Sequence, residues 1–448
     1  MNAEPLRHGP AATLPARFLA WFTVDRLCRL NTVILAVLVF FVVCSNYGFA
    51  IAGTTVRWMR HPENFLTIPV LVSLLILWRE RRWVVRITAR EKVLALYLAF
   101  TAAGLLYSAA ARAHVAEYRD VLRLLGLALA LAWSVRDRRG MGIVLAGFFL
   151  GSLLNVAVAA YQYLLTDNPS MLHKVRATWQ DKNIFGQQLE LAIAYLTAGL
   201  FCCARRTRWA AALAAAVAVH GAALLMTLAR ASTLAVAAAV LVFGALHRGK
   251  AAFLAAAGIA LVAGGVLLAV PARPILDRLA SIRLEDQGLR ERLDLIWPAV
   301  LQRIQREGIL LGTGYGGNTN PERPDGTREV PITGRQVNAH NAVLQVVLVQ
   351  GLVGLAFWLA FCFFAIQTAV RLMRRSGDPL HAALGGGTLL WVMIGMIRGT
   401  VSPWPFSLTI RYNLCVVALL TLAVLADNAS AHAVPPSSPA AARTEPLE

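Results

Sequence analysis

The sequence is poor in charged residues, and the shortage is concentrated in long stretches. Charged side chains make up only 15% of the 448 residues, whereas a soluble globular protein carries about 25%. Segments 33–53 and 251–270 contain no charged residue, and about 20 apolar residues are enough to cross the bilayer core as a helix. Because these runs are too long and too continuous for the alternating strands of a membrane barrel, we predict an all-α, polytopic membrane protein.

The sequence also lacks the signatures of a metal centre, a disulfide framework and a nucleotide site. Its six cysteines show no metal-ligand spacing. No Asp-x-Asp pair occurs, which leaves open only acidic residues that converge in the fold. The stretch 312–317, Gly-Thr-Gly-Tyr-Gly-Gly, resembles a phosphate-binding loop, but no strand precedes it and it lacks the Gly-Lys-Ser/Thr ending. We therefore predict no metal, no other cofactor and no nucleotide.

Apolar runs and basic loops alternate along the chain, and together they predict its topology. Twelve candidate spans begin near Asn31, Asn64, Lys92, Asp120, Met141, Gly186, Trp209, Ala231, Ala251, His340, Leu380 and Phe406. The basic loops after spans 2, 4, 6, 8 and 10 share one side, which the positive-inside rule makes cytoplasmic. Both termini are then cytoplasmic. The net charge of +19 is assigned to membrane orientation and anionic membrane lipids rather than to nucleic acid.

Five regions follow from this topology. Residues 1–30 are predicted to be a cytoplasmic N-terminus with an interfacial helix, 31–270 spans 1–9, 271–339 a large periplasmic loop, 340–426 spans 10–12, and 427–448 a disordered cytoplasmic tail. The loop contains ten arginines, no lysine and nine acidic residues, so it is not a simple positive patch. Loops of this length are usually functional.

Part of the large loop has the periodicity of an amphipathic helix. We predict a helix over residues 289–304, with four apolar residues near one face: Leu293, Ile296, Val300 and Ile304. Pro298 is expected to kink or split it.

A histidine at the junction of the large loop and span 10 is the first candidate catalytic residue. The segment reads His340-Asn341, nine further residues, and then Gly-Leu-Val-Gly over 351–354. An imidazole with a pKa near ~6.5 suits a base or a proton shuttle, and the structural alternative is an interfacial histidine that only caps the helix. Gly351 and Gly354 predict a small helix face that packs closely against a neighbouring helix.

Arg230 is the second candidate. It is the only formal charge between Trp209 and His247, and it lies between two apolar runs on the predicted periplasmic side. An arginine near the membrane usually faces a polar cavity or a partner, and its planar fork suits two phosphate oxygens. The alternative role, a topological marker, is disfavoured because positive charge is uncommon on the outer side.

Other basic residues on the predicted periplasmic side would suit an anionic substrate held at the outer leaflet. They are Arg57, Arg60, Arg112, Arg119, Arg123, Lys174, Arg176, Lys182, Arg290, Arg292, Arg398 and Arg411. Individually, most are expected to be solvated or paired with acids such as Glu117, Asp120 and Asp294.

The two sharpest motifs resemble those of the O-antigen ligase family, which is related to O-antigen polymerases and bacterial O-oligosaccharyltransferases. The family hallmark is a His followed by Asn, Ser or Gln, nine residues and Gly-x-x-Gly. The segment from His340 to Gly354 matches it in full. A second hallmark, Arg-x-x-x-Leu, is matched by Arg230 and Leu234.

Two further segments extend the resemblance. An arginine-containing loop helix followed by a glycine-rich stretch is similar to Arg290, Arg292 and Trp297 followed by residues 312–316. Segment 176–186 is similar to the family's asparagine-containing segment before a span, although Asp-Lys stands here where Asn-Pro is common.

The resemblance implies a GT-C-like, metal-independent glycosyltransferase that inverts the anomeric centre on the periplasmic side of the bacterial inner membrane. The donor would be undecaprenyl-pyrophosphate-linked O-antigen, the acceptor a sugar hydroxyl of lipid A–core, and the product lipopolysaccharide. His340 and Arg230 are then the expected catalytic residues. The expected substrate-binding residues are Arg292, Arg290, Arg176, Lys182 and Asn341. Fixed arginines would stabilise the charge that develops on the departing pyrophosphate.

Two sister activities and one different class of function stay open. An O-oligosaccharyltransferase would transfer the glycan to a protein and is expected to carry an extra C-terminal domain, whereas an O-antigen polymerase would join repeat units. A lipid-linked glycan transporter would be expected to show paired acids inside spans and internal repeats. Neither feature is evident in the sequence, which disfavours the transporter. The complete motif from His340 to Gly354 favours the ligase over the polymerase.

Overall fold

The fold is built from long apolar helices joined by short connections. The computed structural model describes residues 23–44, 49–51, 54–56, 62–80, 89–108, 110–165, 177, 182–203, 207–227, 229–246, 290–315, 320, 326, 328–330, 337–402 and 410–433. The α-helices in these ranges are α1 (Val24–Cys44), α2 (Thr67–Glu80), α3 (Ala89–Ala103), α4 (Ala111–Ser134), α5 (Arg138–Leu165), α6 (Lys182–Cys203), α7 (Thr207–Met226), α8 (Arg230–Leu246), α9 (Trp297–Glu307), α10 (Ala342–Arg375), α11 (Pro379–Gly399) and α12 (Ile410–Ala433).

Short elements of other kinds lie between these helices. Two 3-10 turns cover Pro62–Leu66 and Gly104–Leu106, and a π-helix covers Glu291–Ile296. Strand β1 (Phe49–Ile51) pairs with β2 (Thr54–Val56) in an antiparallel hairpin. This hairpin is a small addition to the predicted all-α architecture.

Ten of the predicted membrane spans coincide with apolar helices, whereas α4, at the predicted fourth span, is not among them. Eight helical segments among the described residues are long and apolar enough to cross a membrane: Val24–Cys44, Pro62–Glu80, Arg138–Tyr163, Asn183–Cys202, Trp209–Met226, Ala342–Arg375, Pro379–Gly399 and Tyr412–Ala431. The shorter apolar helices Lys92–Leu106 and Arg230–Leu246 coincide with two further predicted spans. The predicted ninth span, from residue 251, lies outside the described residues. The chain is a helical multi-pass membrane protein, and the count of twelve and the GT-C likeness stay predictions.

The first and last helices extend beyond the predicted region bounds. Helix α1 begins at Val24, inside the predicted N-terminal region, and α12 continues to Ala433, beyond the predicted end of the last span at 426. Hydropathy sets bounds at the outermost apolar residues, but a helix also accommodates charges that find partners. Asp427 does so by accepting hydrogen bonds from Arg371 Nε and Nη2, at 3.1 and 2.7 Å. Residues 1–22 and 434–448 of the predicted termini lie outside the described residues.

Helix α6 runs through the middle of the bundle. Every residue from 185 to 200 is buried, and the helix packs against α7, α8 and α11. Glycines permit the closest approaches, since a Cβ on Gly387 of α11 would lie 2.5 Å from the Tyr195 ring. Small residues of this kind drive helix packing in membranes. The polar side chains between residues 185 and 200 are therefore held inside the protein.

The described part of the predicted large loop packs onto the first turns of α10. Ile296, Val300 and Ile304 form an apolar cluster with Val347 and Leu348 of α10. This arrangement fixes the segment before α10 relative to the membrane helices.

One residue predicted for the apolar face of this loop helix is misplaced. Leu293 is 46% exposed, because residues 291–296 form a π-helix and its wider turn rotates the preceding positions off the α-helical face. The regular helix α9 starts only after this turn, at Trp297, and Pro298 is its second residue. The helical segment therefore changes type at the proline, where the sequence predicted a kink or a split.

Candidate active site

The segment leading to His340 is held from two directions. The Trp297 indole Nε1 donates to the carbonyl oxygen of Ala339 (2.9 Å), and the Ala339 N–H donates to Gln345 Oε1 in the first turn of α10 (2.8 Å). His340 has φ +49°, a left-handed backbone that is uncommon for a residue other than glycine. Its N–H donates to Asn338 Oδ1 (2.9 Å). Strained backbone of this kind persists where the surroundings fix it, and it gathers at functional sites.

Asn341 ties His340 to two helices. Its Oδ1 accepts from the Leu344 N–H (3.1 Å) and so caps α10, while its Nδ2 donates to the Thr400 carbonyl at the end of α11 (3.2 Å). Both ends of the amide therefore make hydrogen bonds within the protein. Substrate binding by Asn341 stays a prediction, and the structure adds a capping and bridging role that explains the residue type after the histidine.

Arg292 is attached to the same helix end as Asn341. Its Nη1 donates to the Val401 carbonyl, just beyond the end of α11 (3.2 Å). Burial, and then the positive charge of Arg292, lower the pKa of the His340 imidazole, and the Glu291 carboxylate partly opposes them. The lowered pKa favours the neutral imidazole, which is the form that accepts a proton.

The other predicted substrate-binding residues lie around this pair or outside the described residues. Arg290 is exposed at the start of the π-helix. Lys182 is the first residue of α6, and its side chain lies outside the described part of the chain, as does the whole of Arg176.

Arg230 begins α8 and is partly buried, whereas Leu234, one turn later, is 53% exposed. Helix α8 packs against both α6 and α11. Arg230 thus belongs to the bundle that contains the end of α11, while Leu234 points out of the protein, toward the membrane on the predicted topology. The structure brings Asn341 and Arg292 to neighbouring carbonyls at the end of α11, next to His340 in the chain. Helix α8, which begins with Arg230, packs against α11.

The two glycine motifs of the sequence form one structure. Gly351 has φ +66° and interrupts α10, and segment 309–314 pairs with the backbone groups on either side of the break. The Leu352 and Val353 N–H groups donate to Ile309 and Leu310, at 2.9 and 3.2 Å. The Thr313 and Gly314 N–H groups donate to Leu348 and Val349, both at 2.9 Å.

This pairing corrects the predicted use of Gly351 and Gly354. We expected a small helix face packed against a neighbouring helix. A Cβ on Gly351 would instead clash with the Leu310 carbonyl, and the space beside Gly354 is filled by the Gln350 side chain. Gln350 Nε2 in turn donates to the hydroxyl groups of Tyr97 and Tyr315. The motif therefore docks a loop onto a broken helix.

A buried ion pair was missed from the sequence. Glu190 Oε2 of α6 and Arg398 Nε of α11 are 3.1 Å apart, and their side chains are 0% and 2% exposed. Glu190 is the only formal charge between residues 183 and 204, and a charge inside a span is a functional signal by default. That rule selected Arg230 and would also have selected Glu190.

The described residues show no cluster of three or more His, Cys, Asp or Glu side chains that would suit a metal ion. Arg303 and Arg306, two of the loop's arginines, are paired with Glu307 and Glu329. Not all of the loop's positive charge therefore faces a substrate.

A family model described as O-antigen ligase matches residues 210–359. The matched region contains Arg230, Leu234, Arg292, His340 and both glycines of the helix break. It ends before Arg398 and begins after Glu190. No curated protein matches the chain.

Proposed function

The chain belongs to the O-antigen ligase family, and from this premise we propose that it transfers O-antigen polysaccharide from undecaprenyl pyrophosphate to a sugar hydroxyl of lipid A–core. The family is a glycosyltransferase-like enzyme family whose activity is of the O-antigen ligase or polymerase type. The observation that carries the finer proposal is that Arg292 and Asn341, the residue after His340, bind successive carbonyl oxygens at the end of α11, those of Val401 and Thr400. A candidate proton acceptor and a fixed positive charge therefore belong to one part of the structure.

His340 is the proposed base. The acceptor hydroxyl oxygen attacks the anomeric carbon of the donor sugar, its proton passes to the His340 imidazole, and the bond from the anomeric carbon to the pyrophosphate oxygen breaks. Attack from the face opposite the leaving group inverts the anomeric centre. General-base assistance of this kind is worth about 10²–10⁴-fold in rate. The lowered pKa of His340 keeps the imidazole available for this step at neutral pH.

Arginines are the proposed electrophilic groups. Arg292 and Arg230 stabilise the negative charge that grows on the departing pyrophosphate, and Arg290, Arg176 and Lys182 contribute to holding the donor. Preorganised positive groups supply this stabilisation without a metal ion.

The proposed setting is the periplasmic side of the bacterial inner membrane, with both termini in the cytoplasm. The regions keep their predicted roles: residues 271–339 are the periplasmic loop and 340–426 hold the last three spans. Both substrates are lipids, and the apolar helices give them lateral access to the site from the outer leaflet. Membrane lipids surround the protein and are partners in that sense. No nucleotide takes part, because the pyrophosphate linkage is already activated.

The test is transfer by the purified protein, with acceptor choice as the readout. Undecaprenyl-pyrophosphate-linked O-antigen is supplied together with lipid A–core, EDTA and no nucleotide. Glycan-bearing lipopolysaccharide is the expected product. Transfer to an added protein acceptor, or growth of the donor polymer, would instead identify a sister activity of the same family, and donor moved across proteoliposomes without new bond formation would identify a transporter.

A further inference from the structure

The last turn of α11 is the point where the parts of the site meet. The Thr400 carbonyl accepts a hydrogen bond from Asn341 Nδ2 (3.2 Å), next to His340 in the chain. The next carbonyl, of Val401, accepts one from Arg292 Nη1 (3.2 Å). His340 and Asn341 precede α10, whereas Arg292 lies on the π-helix. The relative positions of these three residues therefore depend on where α11 ends.

The buried pair fixes that end of α11. Arg398 lies two and three residues before the two accepting carbonyls, and its Nη1 donates to the Ser402 hydroxyl beyond them (3.2 Å). Its Nε faces Glu190 Oε2 on α6 at 3.1 Å. The Arg398 guanidinium therefore bridges the last turn of α11 to Ser402 and also attaches this turn to α6. Tyr412 of α12 accepts a hydrogen bond from the Trp391 indole of α11 (3.1 Å) and so ties α12 to the same helix.

Glu190 of the same pair also lies next to α8, the helix that begins with Arg230. The Ser232 side chain, two residues after Arg230, lies beside the Glu190 carboxylate. Helices α6 and α8 approach closely here, since a Cβ on Gly186 would lie 3.1 Å from Ser232 Oγ. Glu190 thus contacts groups on α11 and on α8 at once.

We propose that Glu190 and Arg398 are positioning residues for glycan transfer, which hold the end of α11 in register so that Arg292, His340 and the start of α8 face one substrate. This inference rests on the proposed function. Neither residue touches a substrate in this role. A buried ion pair is an expensive way to stabilise a fold, because desolvation offsets much of the attraction, and a specific geometric role is a reason to keep one.

The decisive variant replaces both charges with apolar side chains, E190L/R398M. Removing a whole buried pair is often neutral for stability, whereas removing one partner leaves an uncompensated charge. The double variant is therefore expected to unfold at nearly the wild-type temperature. Its kcat for transfer to lipid A–core should fall about tenfold to a hundredfold, the range produced when a site is displaced by about 1 Å.

The pH profile separates positioning from general damage. The charged groups that face His340 are Arg292 and Glu291 on the π-helix, and Arg398 is the charged residue at the end of α11. If the end of α11 shifts, Arg292 moves away from His340, and the acid limb of kcat/KM moves to higher pH. A matched control is the R371M/D427L variant. It removes a second inter-helix pair, 2.7 Å apart, at the opposite end of α10, and should change neither kcat nor the acid limb.

Each outcome decides the inference. A lower kcat with a shifted acid limb supports it, and wild-type kcat, or a lower kcat with an unmoved acid limb, overturns it. If E190L/R398M does not fold, R398K decides the matter. It keeps the positive charge against Glu190 but loses the arm that donates to Ser402, so the same shift should appear with a smaller loss. Absence of transfer by the wild-type protein would instead count against the proposed function.

Discussion

The two ends of α10 differ in almost every physical respect although they belong to one helix. The first end starts from a left-handed His340, is capped by Asn341 and is broken at Gly351 by an inserted loop. The other end is regular to Arg375 and is fastened by the pair between Arg371 and Asp427. Strain and unusual hydrogen bonds gather at the end where the proposed chemistry takes place, which is typical of functional sites. The opposite end has the features of a structural anchor.

Replacing the histidine should produce the largest effect. In H340A the acceptor hydroxyl loses its base, so the single-turnover rate of transfer to lipid A–core should fall about 10²–10⁴-fold. The matched control is H381A. His381 lies in the first turn of α11, near the anchor end of α10, where its Nδ1 bonds the Ser430 hydroxyl (3.0 Å). A transfer rate near wild type in H340A would remove the distinction between the two ends.

Replacing Arg292 should have the next largest effect. R292Q removes a positive charge beside the proposed pyrophosphate position, and kcat is expected to fall about 10²–10³-fold. The control is R306A, which removes a half-exposed arginine of the same loop paired with Glu329 at 3.1 Å and should leave kcat unchanged. Equal losses in the two variants would mean that Arg292 acts only through the stability of the loop.

The helix break gives a prediction about stability. In G351A a methyl group would clash with the Leu310 carbonyl at a positive φ, so unfolding in detergent should become easier by about 1–3 kcal/mol. Activity should fall as well, because segment 309–314 loses its contacts with α10. The control is G377A, just beyond the anchor end of α10, where no atom lies within 4 Å of the added carbon. A wild-type unfolding temperature for G351A would show that the break does not depend on glycine.

The smallest effect is expected at the anchor. D427N weakens the bond from Arg371, but the asparagine oxygen can still accept from the guanidinium, so the stability cost should be about 1 kcal/mol. Thermal unfolding should show this small loss while the transfer rate stays at the wild-type value. A large loss of transfer in D427N would place a functional group at the end of α10 that we describe as structural.

The fold was largely predictable, because hydropathy determines which segments cross a membrane. Helices occur at eleven of the predicted span positions, and only the ninth lies outside the described residues. Predicting where helices begin and end was harder: α1 includes Asp25 and Arg29, and α12 includes Asp427. The helices accommodate these charges because of their position and partners, and a hydropathy profile detects neither.

The candidate site was predictable in its residues but not in its connections. The motifs identified His340 and Arg292, and the structure ties the segments that carry them to the same end of α11. The break at Gly351 was not predictable, because the apolar pattern continues across it and the pairing partner, segment 309–314, is distant in sequence. Leu293 was misassigned for a similar reason, since a π-turn leaves no signature in a 3.6-residue periodicity. Glu190 could have been identified as a lone charge inside a span, but its pairing with Arg398, more than 200 residues away, was not predictable.

The most direct test of the account is the pH dependence of transfer for the wild-type protein and R292Q, measured side by side. A base must be deprotonated, so kcat/KM should fall as the pH drops through the pKa of His340. Burial and Arg292 lower that pKa, so the wild-type acid limb should lie below the usual histidine value of about 6.5. In R292Q it should move to higher pH. A wild-type profile that is flat from about pH 5 to 8, across the range where a histidine titrates, or an acid limb that R292Q leaves in place, would contradict the assignment of His340 as the base under the influence of Arg292.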